Sequence, residues 1–511
     1  MALTKVSYSM ITGSPVNALD FGASPSASAA TNTAALQAAI DYASSAHTEL
    51  IIPEGIYQTN GTLYVDQDEV MIRGIGAVST NAGASRGSTN DRTRGAVIQY
   101  TGTACALQVS KSRSANPAND VTNPGFISNI QIHNLRIEVP ANCANALLVF
   151  QPLNSYFFNI AIWGSQSTGG VAAGTTLMTV RGGVSNIFEK IVLLGIGRDL
   201  TAPNNTYYVN FGMQLLLGWN NDTATTTIFR RCYTTYCNIG VNLSYRYQFE
   251  DCIFESCRIG IQCLADINAD FERCWWEANI DYDISYSNSI VSIKDSLINA
   301  YTRQEFFNTG GGVVKLQFDN VQFSTTNANP FIFGVNPSGN NIFSTSGSTP
   351  KTILFNNCSF PVNTSMGFIY NNRTVNKIQI LNMQQETLTF AAASVGASAT
   401  PTMNGTSGFA SYTMQEAGDV LGINIYASAA MTGGTYSVLT RINGTAIPSL
   451  SNPIVAAQSA FPFTERTQPL RASFVKGDVI TVVLNTDSLF APTNNICFEV
   501  IVAYGPSGEQ A

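Results

Sequence analysis

Charge and histidine are both scarce in this chain of 511 residues. Charged residues make up 12% of it, and His47 and His133 are its only histidines. A catalytic triad or a metal site built on the histidines of one chain is therefore nearly excluded, and we expect neither a metal ion nor a cofactor. The net charge of −7 contains no basic stripe, so nucleic acid is not an expected partner.

Long hydrophobic runs are also missing. No apolar run approaches the roughly 20 residues that a membrane-spanning helix needs, so we expect no membrane insertion. The N-terminal segment MALTKVSYSMITG has no apolar centre of the kind found in signal peptides. We therefore expect synthesis in a cytoplasm, without export by the ordinary secretory route.

The ten cysteines do not form a disulfide pattern. Cys232 and Cys237 are repeated as Cys252 and Cys257 with the same gap, which favours stacked positions over scattered loop positions. Zinc needs about four ligands converging at about 2.3 Å, whereas stacked residues on parallel strands lie about 4.8 Å apart. We interpret these cysteines as small side chains that fill turns and core.

An internal repeat predicts the fold. Phe229, Phe249 and Phe271 are spaced by 20 and then 22 residues, within segments that align almost letter for letter. A fixed period of this size is typical of a solenoid, and the strand-like alternation without a helical period favours a parallel β-helix. Looser copies of the repeat lie 25 to 41 residues apart, where loops are inserted. In this frame Phe249 and Phe254 point inward, and Asp251 begins a bend.

Three regions follow from this pattern. Residues 1–48 form a lead and a helix, TNTAALQAAIDYASSA, that is capped at Asn32 or Thr33 and covers the first coil. Residues 49–386 form the parallel β-helix. Residues 387–511 carry alternating runs separated by Gly, Pro and Asn turns, which predict an antiparallel β-sandwich. The sandwich could bind sugar, or it could form a trimer and cap the last coil.

The N-terminal motifs also carry a resemblance. The string NALDFGAS at Asn17, the alanine-rich helix, IIPEGIY and MIRGIG resemble the opening of the pectin-lyase-like right-handed β-helix superfamily. The lead-in KVSYSMITGSPVNALDFGA is similar to the form of that opening in bacteriophage tailspike proteins. The resemblance implies a homotrimer in the phage tail, docked on a tail or baseplate adaptor. It also implies binding, and often cleavage, of bacterial capsular polysaccharide or lipopolysaccharide O-antigen.

Paired acids are the candidates for the chemistry. Glycoside hydrolysis generally uses two carboxylates, and equivalent positions on stacked coils can supply them. Our first choice is Glu255 with Glu277, in the row Thr235, Glu255, Glu277, Asn299, which has no basic member. Mutual repulsion would raise the pKa of one of these acids. Our second choice is Glu250 with Glu272, in the row Arg230, Glu250, Glu272, Lys294. The alternative interpretation of this row is a charge-compensated surface, because a basic residue lies at each end of the acid pair.

Several neighbours are candidate substrate-binding residues. Trp275 takes an outward position and Trp276 an inward one, so Trp275 could stack on a sugar or pack against a second subunit. We place Asp283 outward, in register with Gln262 and Asn242. Tyr245, Arg246 and Tyr247 lie together in the turn before Phe249, where they could hold glycan or simply close the coil. Basic residues in two insertions could recognise an acidic polysaccharide or lie solvated: Arg86, Arg92, Arg94, Lys111 and Arg113.

Three functions remain open on this basis. The first is hydrolysis of a surface polysaccharide with Glu255 and Glu277. The second is a polysaccharide lyase, which would need a base and a cation beside a uronate. The third is a receptor-binding fibre without catalysis. In a trimer, acids from two chains could also meet in one groove.

Overall fold

The computed structural model describes most of the chain, with gaps. The described residues are 14–76, 95–117, 125–164, 173–195, 198–199, 206–207, 209–216, 224–263, 268–280, 282–286, 290–300, 307–309, 314–325, 331–332, 340–341, 343–345, 351–358, 376–381, 384–398, 404–405, 411–415, 418–427, 432–447, 453–455, 463–466, 472–491 and 494–504. They fall into two compact units, residues 1–325 with 346–353 and residues 326–345 with 354–511. No helix in these ranges is long and apolar enough to cross a membrane.

The first unit begins with strand Val16–Asn17, the 3-10 helix Ala18–Phe21 and the α-helix Ala29–Ser45. The α-helix begins earlier than predicted, because Ser28 caps it by accepting a hydrogen bond from the Thr31 N–H. Asn32, one of the two predicted caps, is instead buried, and its side chain accepts from the Ser24 N–H. The predicted cap at Asn32 or Thr33 is therefore wrong, although the predicted helix is present.

The α-helix lies against strands Gly55–Thr59 and Leu63–Val65. Its Gln37 side chain accepts from the Tyr64 N–H at 2.8 Å and donates to the Tyr64 carbonyl at 3.0 Å. These two bonds satisfy backbone groups that an uncovered strand would leave open to pairing with another chain. The helix thus performs the covering role that the sequence predicts for it.

Parallel strands form the body of the first unit. Most of them belong to one large sheet: Glu49–Ile52, Gly55–Thr59, Met71–Gly74, Ala96–Tyr100, Gln131–Val139, Tyr156–Gly164, Ile187–Gly195, Ile228–Arg230, Tyr233–Thr235, Tyr247–Glu250, Ile253–Glu255, Asn268–Glu272, Trp275–Glu277, Ile290–Lys294, Leu297–Ala300, Val314–Asp319 and Gln322–Thr325. Each coil contributes a first and a second strand segment to this sheet, separated by a bend.

Two further parallel sheets close the coils. The second sheet contains Leu63–Val65, Cys105–Val109, Asn145–Phe150, Ala173–Arg181, Val209–Leu216, Cys237–Leu243, Ile259–Cys263, Tyr282–Tyr286 and Phe307–Thr309. The third contains Ile127–Ser128, Pro152–Leu153, Gly183–Val184 and Ala224–Thr225. An antiparallel pair, Arg198–Asp199 with Thr206–Tyr207, decorates one coil. The predicted parallel β-helix is confirmed.

The bend between the two segments of the large sheet uses the left-handed backbone region. One residue per coil adopts φ between 49° and 55°: Asn134, Asn159, Lys190, Arg231, Asp251, Arg273, Asp295 and Asn320. Asn and Asp tolerate this region best among residues with a side chain, and they occupy five of these eight positions. The predicted bend at Asp251 is therefore confirmed.

Stacked aromatic rings fill the interior. Phe157, Phe188, Phe229, Phe249 and Phe271 stack in succession, with ring centroids 4.6, 4.8, 5.2 and 4.9 Å apart. All five rings are buried. The nine cysteines that the structure describes are free thiols, and eight of them are buried. This agrees with their interpretation as filler of turns and core.

The second unit is mostly antiparallel in its C-terminal part. One sheet contains Gln384–Val395, Asn404–Gly405, Gly418–Ala427, Phe463–Arg466, Ala472–Phe474 and Asn494–Tyr504. The other contains Ser411–Thr413, Thr435–Ile442, Thr445–Ala446, Pro453–Val455 and Val479–Thr486. Buried residues of both sheets share one core, for example Phe390 with Val482, as in a sandwich. Further strands are Phe331–Ile332, Asn340–Asn341, Phe343–Thr345, Lys351–Asn356 and Asn376–Leu381.

The predicted boundary between residues 386 and 387 stays a prediction, and strand Gln384–Val395 runs across that position. The predicted antiparallel architecture of the C-terminal region is confirmed.

The phenylalanine stack generates a stability prediction. Phe249→Ala removes a ring that contacts both neighbouring coils, and we expect it to lower the free energy of unfolding by about 3–5 kcal/mol. Gln248→Ala, on the same strand but facing outward, should change it by less than about 0.5 kcal/mol. Urea denaturation followed by far-ultraviolet circular dichroism measures both values. Similar losses in the two variants would contradict a core built on this stack.

Candidate active site on the outer face of the parallel sheet

Glu255 and Glu277 occupy equivalent outward positions on neighbouring coils. Thr235 pairs with Glu255, Glu255 with Glu277, and Glu277 with Asn299 in continuous parallel register. We call these four residues the acid row. Neighbouring positions in such a row lie about 4.8 Å apart along the backbone, close enough for the two carboxylates to interact.

The two acids of this row have different surroundings. Partial burial raises the pKa of Glu277, and the negative charge of Glu255 raises it further. Glu255 accepts a hydrogen bond at Oε2 from the Tyr233 hydroxyl. A hydrogen bond to the charged form of a carboxylate favours that form. Of the two acids, Glu277 is the one whose surroundings favour its protonated form.

Tyr233 holds its position through packing. Its ring lies against a buried cluster on the outer face formed by Ala161, Trp163 and Val192. Burial, followed by the hydrogen bond and the charge of Glu255, raises the pKa of the Tyr233 phenol above its usual value. The phenol therefore stays protonated and remains a donor to Glu255. The sequence analysis missed Tyr233, although the repeat frame places it outward, two residues before Thr235.

The second-choice acids are compensated by neighbouring cations. Arg230 Nε donates to Glu250 Oε2 at 2.9 Å. Arg273 donates both to Glu272 and to Asp251. The row formed by Arg230, Glu250, Glu272 and Lys294 is present as predicted. Its carboxylates are held as surface ion pairs, which contribute little to stability.

Trp275 lies beside the acid row. It pairs with Ile253 on one side and with Leu297 on the other, and 41% of its surface is exposed. Trp276, which follows it, is completely buried, as the predicted alternation requires. The exposed indole therefore presents a flat apolar face two residues from Glu277, which suits the C–H face of a sugar ring.

The predicted outward position of Asp283 is wrong. Its carboxylate is completely buried and accepts a hydrogen bond from Asn279 Nδ2 at 2.7 Å. Ser285, and not Asp283, pairs with Gln262. The coil is 22 residues long from Glu255 to Glu277 but 23 from Gln262 to Ser285. The predicted register is therefore two residues off, and Asp283 lies instead between Tyr282 and Ile284, which pair with Ile259 and Ile261.

Tyr247 does not lie in the predicted turn, and its burial does not fit a contact with glycan. Tyr247 begins strand Tyr247–Glu250, is 1% exposed, and donates its hydroxyl hydrogen bond to the Leu216 carbonyl. The turn therefore ends one residue earlier than predicted. Tyr245 is half-buried in that turn, and exposed Arg246 forms an ion pair with Asp270 at 3.6 Å. Both precede the strand that carries Glu250, so neither belongs to the strands of the acid row.

The other marked residues lie apart from the acid row. Lys111 pairs with Asp68 at 2.7 Å, and Arg113 pairs with Asp66 at 2.5 Å. Arg86, Arg92 and Arg94 lie outside the described residues. His133 faces outward as predicted, contacts the rings of two aromatic residues, and has its pKa lowered by burial.

Comparisons with known proteins give only distant likenesses. No protein-family model matches the chain, and no curated protein matches its sequence. Solved structures that resemble it include a tailspike protein from Pseudomonas phage LKA1, with a TM-score of 0.42, 10% identity, and coverage of 96% of this chain and 100% of that one.

A tailspike from Acinetobacter baumannii bacteriophage Fri1, described as a capsular polysaccharide depolymerase, has a TM-score of 0.35 and 12% identity, covering 97% and 87%. A tailspike of E. coli bacteriophage HK620 in complex with a pentasaccharide has a TM-score of 0.40 and 11% identity, covering 97% and 96%. Likenesses at this level assign neither residues nor a reaction to the present chain.

The asymmetry of the acid row generates a prediction about stability and pH. Because the folded-state pKa of Glu277 is raised, ionised Glu277 destabilises the fold at pH above that pKa. The penalty disappears as the pH falls below the pKa of the unfolded carboxyl, about 4.3. Glu277→Gln should therefore raise the free energy of unfolding at pH 7 by up to about 0.5 kcal/mol and leave it unchanged near pH 4.

Glu250→Gln is the matched control for this measurement. It breaks the ion pair with Arg230, so thermal unfolding at pH 7 should show a small loss of stability, of about 0.5 kcal/mol. A loss of stability in Glu277→Gln at pH 7 would contradict the account of the acid row.

Proposed function

We propose that this chain is a phage tailspike that binds a bacterial capsular polysaccharide or O-antigen and cleaves it by glycoside hydrolysis. The observation that carries the proposal is the acid row, in which two adjacent carboxylates without a basic neighbour lie beside the exposed Trp275. The resemblance of the N-terminal motifs to tailspike proteins supports the biological setting. A tailspike on the tail of a phage meets the surface glycans of the bacterial host, and these glycans are the proposed substrates.

In this mechanism Glu277 is the general acid. Its raised pKa keeps a proton that it can donate to the glycosidic oxygen as the bond to the leaving sugar breaks. Glu255, which accepts a hydrogen bond from the Tyr233 hydroxyl, is the nucleophile or the base that activates water at the anomeric carbon. Trp275 holds the adjoining sugar by stacking on its C–H face.

Two features favour hydrolysis over elimination. A lyase needs a cation beside the uronate carboxylate and a base at the neighbouring carbon. The described outward positions of the second strand segments, from Tyr233 to Ser324, contain no lysine, arginine or histidine. The phenol of Tyr233 donates to Glu255, and its raised pKa keeps it protonated, so it cannot accept the proton that a lyase removes from its substrate.

The proposal extends to assembly. By the same resemblance we place the protein in the virion as a homotrimer, attached through a tail or baseplate adaptor. The C-terminal sandwich would either form the trimer or bind carbohydrate. Sedimentation velocity of the whole chain decides the oligomeric state, and a monomer at micromolar concentration would count against the tailspike assignment.

Cleavage assays test the reaction. Purified wild type is incubated with a panel of bacterial capsules and O-antigens, and new reducing ends are measured together with the ultraviolet absorbance of unsaturated uronates. We expect reducing ends without that absorbance. Glu255→Gln and Glu277→Gln should each lower the rate by about 10²–10⁴-fold, and the rate should fall as the pH rises above the pKa of Glu277.

Glu250→Gln and Glu272→Gln serve as matched controls and should stay within about two-fold of wild type. Cleavage that survives both acid-row substitutions would sink the site assignment. Products that absorb in the ultraviolet would show that the reaction is an elimination and not a hydrolysis. Binding to the glycan of a susceptible host without any product would identify a non-catalytic fibre.

A further inference from the structure

The surface around the acid row has an uneven distribution of charge. Two outward rows run along the second strand segments of five successive coils, and we call them together the cleavage face. Its members are Tyr233, Thr235, Ile253, Glu255, Trp275, Glu277, Leu297, Asn299, Gln322 and Ser324. These described positions contain two acidic side chains, Glu255 and Glu277, and no lysine, arginine or histidine.

Basic residues occur nearby, but they belong to the other strand segments and to the corners. Most of them are paired with acids, whereas Arg258, three residues after Glu255, donates to Asn238 Oδ1 at 2.6 Å. Arg230 is paired with Glu250 at 2.9 Å, and Arg273 with Asp251 at 2.7 Å. Other pairs are Arg231 with Glu189 at 3.4 Å, Arg246 with Asp270 at 3.6 Å and Lys294 with Asp295 at 3.9 Å. A cation that is already paired offers little attraction to an anionic ligand on the adjacent face.

The cleavage face is also apolar next to its acids. Ile253, Trp275 and Leu297 are consecutive in one row, and Trp275 is the most exposed of the three. Such a row suits the C–H faces and methyl groups of sugars, whereas a carboxylate placed there would lose water and gain no partner.

We infer that the sugars bound on either side of the cleaved bond are uncharged, such as neutral hexoses, deoxyhexoses and N-acetylated amino sugars. Uronates and phosphorylated sugars are disfavoured there, because the carboxylates of the acid row repel them and no described cation of the cleavage face offsets that repulsion. The inference rests on the proposed function, since it concerns the substrate of the same site.

A matched pair of polymers tests the substrate class. The native polymer is a capsular polysaccharide with a uronate in each repeat, and its partner is the same polymer after chemical reduction of its carboxyl groups. An O-antigen with an uncharged repeat is the third probe. Neutral polymers that are cleaved should show a KM that is unchanged between low and high salt.

The wild type should cleave the carboxyl-reduced polymer with a kcat/KM at least about ten-fold higher than that for the native polymer. If cleavage is too slow to measure, the Glu277→Gln variant should bind the carboxyl-reduced polymer at least about ten-fold more tightly than the native polymer in affinity electrophoresis. Equal or better cleavage of the native acidic polymer would overturn the inference. It would leave the proposed hydrolysis intact.

The fluorescence of Trp275 gives a readout that needs no glycan. Its contribution is the difference between wild type and Trp275→Phe, and it is quenched separately with caesium, iodide and neutral acrylamide. Relative to acrylamide, caesium should quench Trp275 at least two-fold better than iodide at low salt, because the acids attract cations. The preference should shrink in Glu255→Gln/Glu277→Gln and persist in Glu250→Gln.

Iodide quenching equal to or stronger than caesium quenching would overturn the inference even if no polymer in the panel is cut. Absence of all cleavage together with the caesium preference would sink the proposed hydrolysis and leave the charge of the face as inferred.

Discussion

Every functional feature of this protein depends on strict parallel register between coils. The stacked phenylalanines, with ring centroids 4.6 to 5.2 Å apart, hold successive coils at the spacing of neighbouring β-strands. The left-handed residue at each bend fixes where the strand changes direction. With both features repeated, an outward residue on one coil has an outward residue directly beside it on the next. Side chains of equal charge are thereby held together although they would repel each other in solution.

That register has opposite electrostatic results on two neighbouring strand segments. On the first segment, two adjacent acids have a basic residue at each end of their row, and Arg230 pairs with Glu250. On the second segment, Glu255 and Glu277 face each other without a cation, and the pKa of Glu277 rises. The same coil spacing therefore allows ion pairs on one segment and electrostatic repulsion between two carboxylates on the other. Tyr233 distinguishes the two acids, because its hydroxyl donates a hydrogen bond to Glu255.

The sequence predicts the fold well because the repeat is visible. The spacing of Phe229, Phe249 and Phe271 is sufficient to align the strands, and the acid row follows from the same alignment. The prediction fails where the coil length changes, as at Asp283, which is buried and lies two residues before the partner of Gln262. It also fails at Tyr247, where the strand begins one residue earlier than the turn pattern indicates.

Contacts between coils are less visible in sequence than the coils themselves. The hydrogen bond from Tyr233 to Glu255 joins two residues that are 22 positions apart and not directly paired in the sheet. Only the folded geometry, with the Tyr233 ring supported by the cluster around Trp163, brings the hydroxyl to that carboxylate. The assignment of acid and base roles within the row could not be made from spacing alone.

The central claim is that burial and the charge of Glu255 raise the pKa of Glu277. Its most direct test is a pH titration of the protonated carboxyl band by infrared difference spectroscopy, comparing wild type with Glu277→Gln. The account predicts that the band assigned to Glu277 titrates clearly above the value of free glutamate and moves down in Glu255→Gln. Titration of Glu277 at or below the ordinary glutamate value, unaffected by Glu255→Gln, would contradict the claim.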